Sequence, residues 1–84
     1  MDSLLYDVHA VRDLKKLPKP VQRIIVEKLT FIASQKNPLS FAKRLTNMNI
    51  GSYRFRIGNH RAIVDVHKTT IIVLRIGNRK DIYR

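Results

Sequence analysis

The strongest constraint on the fold lies in the last third of the chain, where three β-rich runs follow one another closely. They are Tyr53 to Ile57, Arg61 to Val66 and Thr70 to Ile76. The gaps between them, Gly58-Asn59 and His67-Lys68, are short enough for tight hairpin turns. Strands joined by such turns pair antiparallel, so the sequence predicts a three-stranded meander.

The first of these runs also indicates which of its side chains point toward the core and which point away from it. Tyr53, Phe55 and Ile57 alternate with Arg54 and Arg56. Because successive side chains of a strand point to opposite faces, the apolar set can pack on a core while both arginines lie on the other face. The two later runs are apolar on both faces, so alternation does not orient them.

Two helices are predicted before the meander. Apolar residues recur at helical spacing from Ala10 to Leu17, and Pro18 and Pro20 end that helix. Either proline can also begin the next helix, because a proline in the first turn loses no hydrogen bond. The second helix runs to about Ser34. Its apolar stripe contains Val21, Ile25, Leu29 and Ile32, with Ile24 beside them.

The remaining segments complete the predicted fold. Leu4, Tyr6 and Val8 alternate with their neighbours and indicate a short first strand, whereas Leu39 to Gly51 shows no clear period and is interpreted as a loop. A chain of 84 residues has room for one domain, residues 1–84. We therefore expect an α+β fold, with two N-terminal antiparallel helices packed on a small, mainly antiparallel β-sheet of about four strands.

The charge of the chain indicates its partners. Lys and Arg number 17 against 6 acidic residues, a formal net charge of +11 at pH 7. Solubility alone asks for a net charge of roughly 2 to 8 in a small domain. Because the excess repels itself in the folded state, a nucleic acid or an acidic protein is the expected partner.

Several classes of function are disfavoured by the residues present. The chain has no cysteine, and His9, His60 and His67 are scattered. The six acids show no pairing, so we expect no metal, no cofactor and no two-carboxylate mechanism. No apolar run approaches the roughly 20 residues that cross a bilayer, and Asp2 and Asp7 interrupt any secretion signal. A cytoplasmic protein without a membrane partner is expected.

Four short motifs follow one another along nearly the whole chain: Leu14 to Pro18, Lys43 to Leu45, Tyr53 to Arg61 and Gly77 to Tyr83. Each is common alone, but in this order they resemble the RelE toxins of the RelE/ParE superfamily. The resemblance implies a compact sheet on two N-terminal helices and a cytoplasmic toxin held by a cognate antitoxin. It also implies cleavage of messenger RNA in the ribosomal A site.

The resemblance also implies the site residues. Arg54, Arg56, Arg61 and Arg79 match the family's basic active-site residues, and Tyr83 matches its C-terminal tyrosine, which stacks on or orients a nucleotide. RNA cleavage requires proton removal from a 2′-hydroxyl, stabilisation of an anionic phosphorane and protonation of the leaving 5′-oxygen. Guanidinium forks suit the second task.

The general base is the open question. The family's best-known members carry lysines where this chain has Arg54 and Arg56, and one of those lysines has been assigned as the base. A guanidinium is too basic for this role at neutral pH. His60 is the candidate substitute, although strand alternation would place its side chain opposite Arg61. Alternatively, the ribosome itself supplies the proton transfer.

Three functions remain open from the sequence. The favoured one is a ribosome-dependent mRNA endoribonuclease, or mRNA interferase, that inhibits translation without a metal. A ParE-like toxin of the same fold would instead inhibit DNA gyrase without cutting RNA. The two lysine-to-arginine departures motivate the third, a catalytically degenerate member that only binds its antitoxin or nucleic acid.

Overall fold

A computed structural model describes residues 3–46 and 50–78, which form two α-helices, one 3-10 helix and one five-stranded sheet. In chain order the elements are β1 (Ser3–Tyr6), α1 (Val8–Lys15), α2 (Lys19–Ala33), a 3-10 helix (Pro38–Phe41), β2 (Ala42–Arg44), β3 (Tyr53–Ile57), β4 (His60–His67) and β5 (Thr70–Gly77). The predicted class, two N-terminal helices on a mainly antiparallel sheet, is confirmed.

The strand order in the sheet is β1-β5-β4-β3-β2. The predicted meander is confirmed, because β3 pairs antiparallel with β4 and β4 with β5. Its two turns contain residues with positive φ, Gly58 at 59° and Lys68 at 55°, as tight hairpins require. The first strand returns to pair in parallel with β5, with Leu4 opposite Ile71.

The segment predicted to be a loop, Leu39 to Gly51, contains more structure than expected. Part of the 3-10 helix lies in it, and so does β2, which pairs antiparallel with β3. A strand of three residues is too short to show a period, so alternation could not reveal it. The sheet therefore has five described strands instead of about four.

The first helix begins two residues earlier than predicted because Asp7 caps it. The carboxylate of Asp7 accepts a hydrogen bond from the backbone N–H of His9 at 3.0 Å. Pro18 precedes α2 and Pro20 lies in its first turn, as the sequence predicted. None of the described helices is long and apolar enough to cross a bilayer.

The core lies between the helices and one face of the sheet. Ile25, Leu29 and Ile32 of α2 are buried together with Phe55 and Ala62 of the meander. Expecting Ile24 in this stripe was wrong, because its side chain is 59% exposed. Neighbouring residues on a helix differ by about 100° in direction, so Ile25 and Ile24 cannot both face the sheet.

Candidate functional site

Strand pairing places three of the four predicted arginines, Arg54, Arg56 and Arg61, on one face of the sheet, away from the helices. Phe55 and Ile57 are buried in the core, so Arg54 and Arg56 point to the opposite face. Arg56 lies directly opposite Arg61 in the β3–β4 pair. We call this surface, formed by Lys43, Arg54, Arg56 and Arg61, the basic face.

Lys43 is the member of the basic face that sequence reasoning did not select. It lies on β2 directly opposite Arg54, and residues opposite one another in a pair share a face. Its place in a motif with Arg44 marked it as part of the resemblance, but only the pairing of β2 with β3 shows where it points.

Arg56 and Arg61 place two positive charges directly opposite one another on neighbouring strands. Directly opposite residues have Cβ atoms about 4.5 to 5.5 Å apart, and like charges at that distance destabilise a sheet. Among the described residues neither arginine forms an ion pair, and the Nε of Arg61 is buried without a hydrogen-bond partner. On the neighbouring strand β5, the residue opposite Arg61 is Gly77, which has no side chain to cover the Arg61 guanidinium. The pair is therefore suited to bind an anion.

Gly51 and Ser52, just before β3, pack over Ile63 on the same sheet face, and we call this feature the Gly51 crossing. Gly51 has φ 142°, and a Cβ atom there would overlap the side chain of Ile63, which is fully buried. Ser52 fixes this crossing, because its N–H and its hydroxyl donate to one oxygen of Asp65 at 2.9 and 2.7 Å. The carboxylate of Asp65 is thus engaged by Ser52.

A contact between α1 and β5 holds the end of β5, the strand that precedes Arg79 in the sequence. The carboxylate of Asp13 accepts hydrogen bonds from the Arg75 Nε at 2.8 Å and from the backbone N–H of Ile76 at 2.9 Å. Burial alone would raise the pKa of Asp13, but these hydrogen bonds and the charges of Arg75 and Lys16 together lower it. Arg75 is therefore held in a structural ion pair, as its position in an apolar run suggested.

His60 lies apart from the basic face. It is half-buried opposite Ile57, on the helix side of the sheet, as strand alternation indicated. It lines a separate cavity of about 350 Å³ with Lys16, Leu17 and the Asp13–Arg75 pair. The structure therefore brings Arg54, Arg56 and Arg61 together but does not bring His60 to them.

Two predicted site residues, Arg79 and Tyr83, lie outside the described residues. Within residues 3–46 and 50–78, no group of three or more His, Asp or Glu side chains could hold a metal ion.

Comparison with known proteins decides the family. The sequence model of the ParE toxin of type II toxin–antitoxin systems, parDE, matches residues 4–83. The chain belongs to this family, within the RelE/ParE superfamily. The toxin is 36% identical over 84 residues to Toxin RelG of Mycobacterium tuberculosis (strain ATCC 25618 / H37Rv), a match covering 98% of this chain and 95% of the relative. The resemblance to RelE toxins is thereby confirmed.

Solved structures agree with this assignment. The toxin–antitoxin complex RelBE2 of Mycobacterium tuberculosis matches with a TM-score of 0.77 and 29% identity, covering 92% of the toxin and 96% of the matched chain. The RelB–RelE complex of Methanococcus jannaschii matches with a TM-score of 0.67 and 30% identity, covering 94% of each chain. The RelBE complex of E. coli, at 18% identity and a TM-score of 0.69 over 90% of the toxin and 94% of the matched chain, shows the shared fold.

Proposed function

We propose that this toxin is a ribosome-dependent endoribonuclease that cleaves messenger RNA without a metal ion. The observation that carries the proposal is the basic face, where Arg56 and Arg61 stand opposite one another and form no ion pair among the described residues. Such a pair is costly unless an anion lies between the two charges. A phosphodiester of single-stranded RNA fits this requirement.

The chemistry would proceed by transesterification at one phosphate. The 2′-oxygen of a nucleotide attacks the adjacent phosphorus, the bond to the 5′-oxygen breaks, and a 2′,3′-cyclic phosphate remains. Arg56 and Arg61 would bind the non-bridging oxygens, whose negative charge grows in the phosphorane. Removing one such donor typically costs about 10²- to 10³-fold in rate.

The proton transfers require groups other than these arginines. A guanidinium keeps its proton at neutral pH, and His60 lies on the other side of the sheet. We propose that the ribosome or bound water accepts the 2′-hydroxyl proton, and that the toxin clamps the message. Arg79 and Tyr83 are proposed, from the family's motif, to complete the phosphate contacts and to orient a nucleotide.

The partners follow from the same proposal. The solved relatives are complexes of a RelE toxin with a RelB antitoxin, and the net charge of +11 favours an acidic partner. We propose a cognate acidic antitoxin, with the ribosome and messenger RNA as the targets of the free toxin. Action on translating ribosomes would place the toxin in the cytoplasm.

A second candidate is favoured by one observation, the match to the parDE family model. A ParE-like toxin would inhibit DNA gyrase and leave RNA intact. Three arginines directed to one face can also bind DNA phosphates, so charge alone does not separate the two functions.

One experiment discriminates between these functions. Purified toxin is added to a reconstituted translation reaction, with cuts mapped by primer extension, and separately to a gyrase supercoiling reaction. We expect message cuts that depend on ribosomes and disappear with Arg61→Ala. Gyrase inhibition with intact message would reject the nuclease, and inactivity in both reactions would support the degenerate alternative.

A further inference from the structure

The departing 5′-oxygen needs a proton that the arginines of the basic face do not supply. When the bond between phosphorus and this oxygen breaks, the oxygen takes up negative charge and is a poor leaving group unless it is protonated. A guanidinium keeps its proton at neutral pH, so Arg54, Arg56 and Arg61 stabilise charge without donating a proton. The cleavage therefore requires a proton donor of another kind.

Lys43 is the lysine of the basic face, and the register of the sheet fixes its place there. It is exposed on β2 and lies directly opposite Arg54. Arg56 is two residues further along β3, which makes it a diagonal neighbour of Lys43. Diagonal neighbours are about 7–8 Å apart, within reach of long side chains. The ammonium of Lys43 can therefore approach a phosphate that Arg56 binds, from the β2 side of the face.

The ammonium of Lys43 is available to a substrate. Within residues 3–46 and 50–78, neither of the two ion pairs involves Lys43. The acidic residue of β4, Asp65, accepts hydrogen bonds from Ser52. In the sheet order β2 is the last strand, and no described strand covers its outer edge. Lys43 thus lies at the rim of the basic face, where water can return a proton that it gives up.

The neighbouring side chains that could compete for this role point to the other side of the sheet. Tyr53 packs against the core, and His60 lies opposite the buried Ile57. Arg44 follows Lys43 on β2 and so points the opposite way. Lysine side chains are protonated at neutral pH, and their ordinary pKa of about 10.4 makes them stronger acids than guanidinium groups. Of the two kinds of cation on the basic face, lysine is the better proton donor.

We propose that Lys43 is a catalytic residue of the cleavage, the proton donor to the leaving 5′-oxygen. As the bond from phosphorus to this oxygen breaks, one proton of the ammonium moves to the oxygen, which leaves as a hydroxyl group. The neutral amine then takes a proton from water. This role rests on the proposed function, and it leaves the 2′-hydroxyl proton to the ribosome or bound water.

A message with sulfur in place of the bridging 5′-oxygen tests the proton transfer. A thiol is far more acidic than an alcohol, so a thiolate leaves without being protonated. Single-turnover cleavage of ribosome-bound message is measured with the oxygen and the sulfur linkage. We expect Lys43→Gln to slow cleavage of the oxygen linkage about 100-fold or more and that of the sulfur linkage less than threefold. Lys43→Arg keeps the charge and should show the same pattern.

The chain offers two controls for this assay. Arg44→Gln removes a positive charge from the same strand but from its other side, and it should change neither rate more than threefold. Arg61→Gln removes a phosphate-binding group, and it should slow both linkages to the same degree. Thermal melting of each variant shows that it is folded.

Three results would overturn the role of Lys43 while the wild type still cuts message. They are an unchanged rate in Lys43→Gln, equal slowing of both linkages by Lys43→Gln, and wild-type cleavage of the oxygen linkage by Lys43→Arg. Equal slowing, or activity in Lys43→Arg, would show that Lys43 acts through its charge alone. A wild type that cuts neither linkage would reject the nuclease itself, and the role of Lys43 with it.

Discussion

At the scale of single residues, Arg61 carries the clearest mark of a functional position. Within the part of the chain that the structure describes, its Nε is buried without a hydrogen-bond partner, which costs about 1–3 kcal/mol, and it stands opposite another positive charge. Two like charges directly opposite one another in a sheet destabilise it further. Residues that lower stability without structural compensation are expected where activity requires them.

Replacing Arg61 should therefore move stability and activity in opposite directions. Arg61→Met keeps an unbranched apolar stem and removes both the unsatisfied nitrogen and the like charge. We expect the free energy of unfolding, measured by urea denaturation, to rise by about 1 kcal/mol, and message cleavage to fall at least tenfold. Lys15→Met, on the exposed side of α1, is the control and should change neither quantity appreciably. A destabilised Arg61→Met would show that Arg61 is a structural residue.

His60→Gln tests whether the base comes from this side chain. Because His60 lines a cavity on the helix side of the sheet, we expect the cleavage rate in the translation reaction to stay within about threefold of wild type. A threefold change in rate corresponds to less than half of the about 1.4 kcal/mol that changes a rate tenfold. Loss of cleavage with intact ribosome binding would restore His60 as the base and require the site to rearrange on the ribosome.

Alternation within single strands made much of the basic face predictable. The pattern of β3 predicted that Arg54 and Arg56 share a face. Alternation along the chain likewise indicated that the neighbouring residues His60 and Arg61 point in opposite directions. Lys43 could not be assigned in this way, because its orientation depends on the register between β2 and β3. That register depends on residues distant in sequence, which no local period reports.

At the scale of elements, Asp13 joins α1 to the end of β5. Asp13→Asn removes the charge that receives the Arg75 and Ile76 hydrogen bonds. Because the folded state lowers the pKa of Asp13, its contribution is present above the unfolded value of about 3.9 and is lost as pH falls through the folded value. We expect Asp13→Asn to destabilise the toxin by about 1–3 kcal/mol at pH 7 and by less near pH 3.

Urea denaturation across this pH range measures the effect. Glu27→Gln, which removes one exposed carboxylate from α2, is the charge-matched control. Arg75 is 44% exposed, so solvent screens the ion pair. Most of the loss should come from the hydrogen bond that the backbone N–H of Ile76 donates, because the neutral amide oxygen of Asn accepts it more weakly than the carboxylate does. An Asp13→Asn variant whose destabilisation does not change with pH would contradict the assigned role of the charge.

The crossing at Gly51 is the second element-scale feature. Gly51→Ala places a methyl group against Ile63 at φ 142°, where L-residues are strained. We expect destabilisation of at least about 1–3 kcal/mol in urea denaturation. Gly58→Ala is the control, because no atom lies within 4 Å of the added methyl group and only its φ of 59° carries a cost of about 1 kcal/mol. If Gly51→Ala is as stable as wild type, the segment does not pack on Ile63 as described.

Elements were predictable in proportion to their length and local regularity. Both helices and the meander were predicted from period, prolines and turn residues. The parallel pairing of β1 with β5 and the short strand β2 were not, because each is specified by contacts between distant parts of the chain. The burial of Ile63 likewise depends on a crossing that the glycine alone did not indicate.

At the scale of the whole molecule, the fold separates the two faces of the sheet into a packed core and a basic surface. The helices cover one face of the sheet, the Gly51 crossing covers Ile63 on the other, and the basic face lies on that same side. A net charge of +11 draws polyanions to the entire surface, whereas the basic face directs three guanidinium groups of the described residues to one place. We infer that specificity for one phosphate comes from the sheet, and general attraction to RNA from the total charge.

The proposed function requires that Arg56 and Arg61 act on the same phosphodiester. A double-mutant cycle on single-turnover cleavage of ribosome-bound message tests it, using Arg56→Gln, Arg61→Gln and the double variant. We expect each single substitution to slow cleavage at least tenfold, and the double variant to be slower by clearly less than the product of the two effects, a coupling of about 0.5–3 kcal/mol. Single variants that cleave at the wild-type rate, or effects that multiply fully, would contradict it.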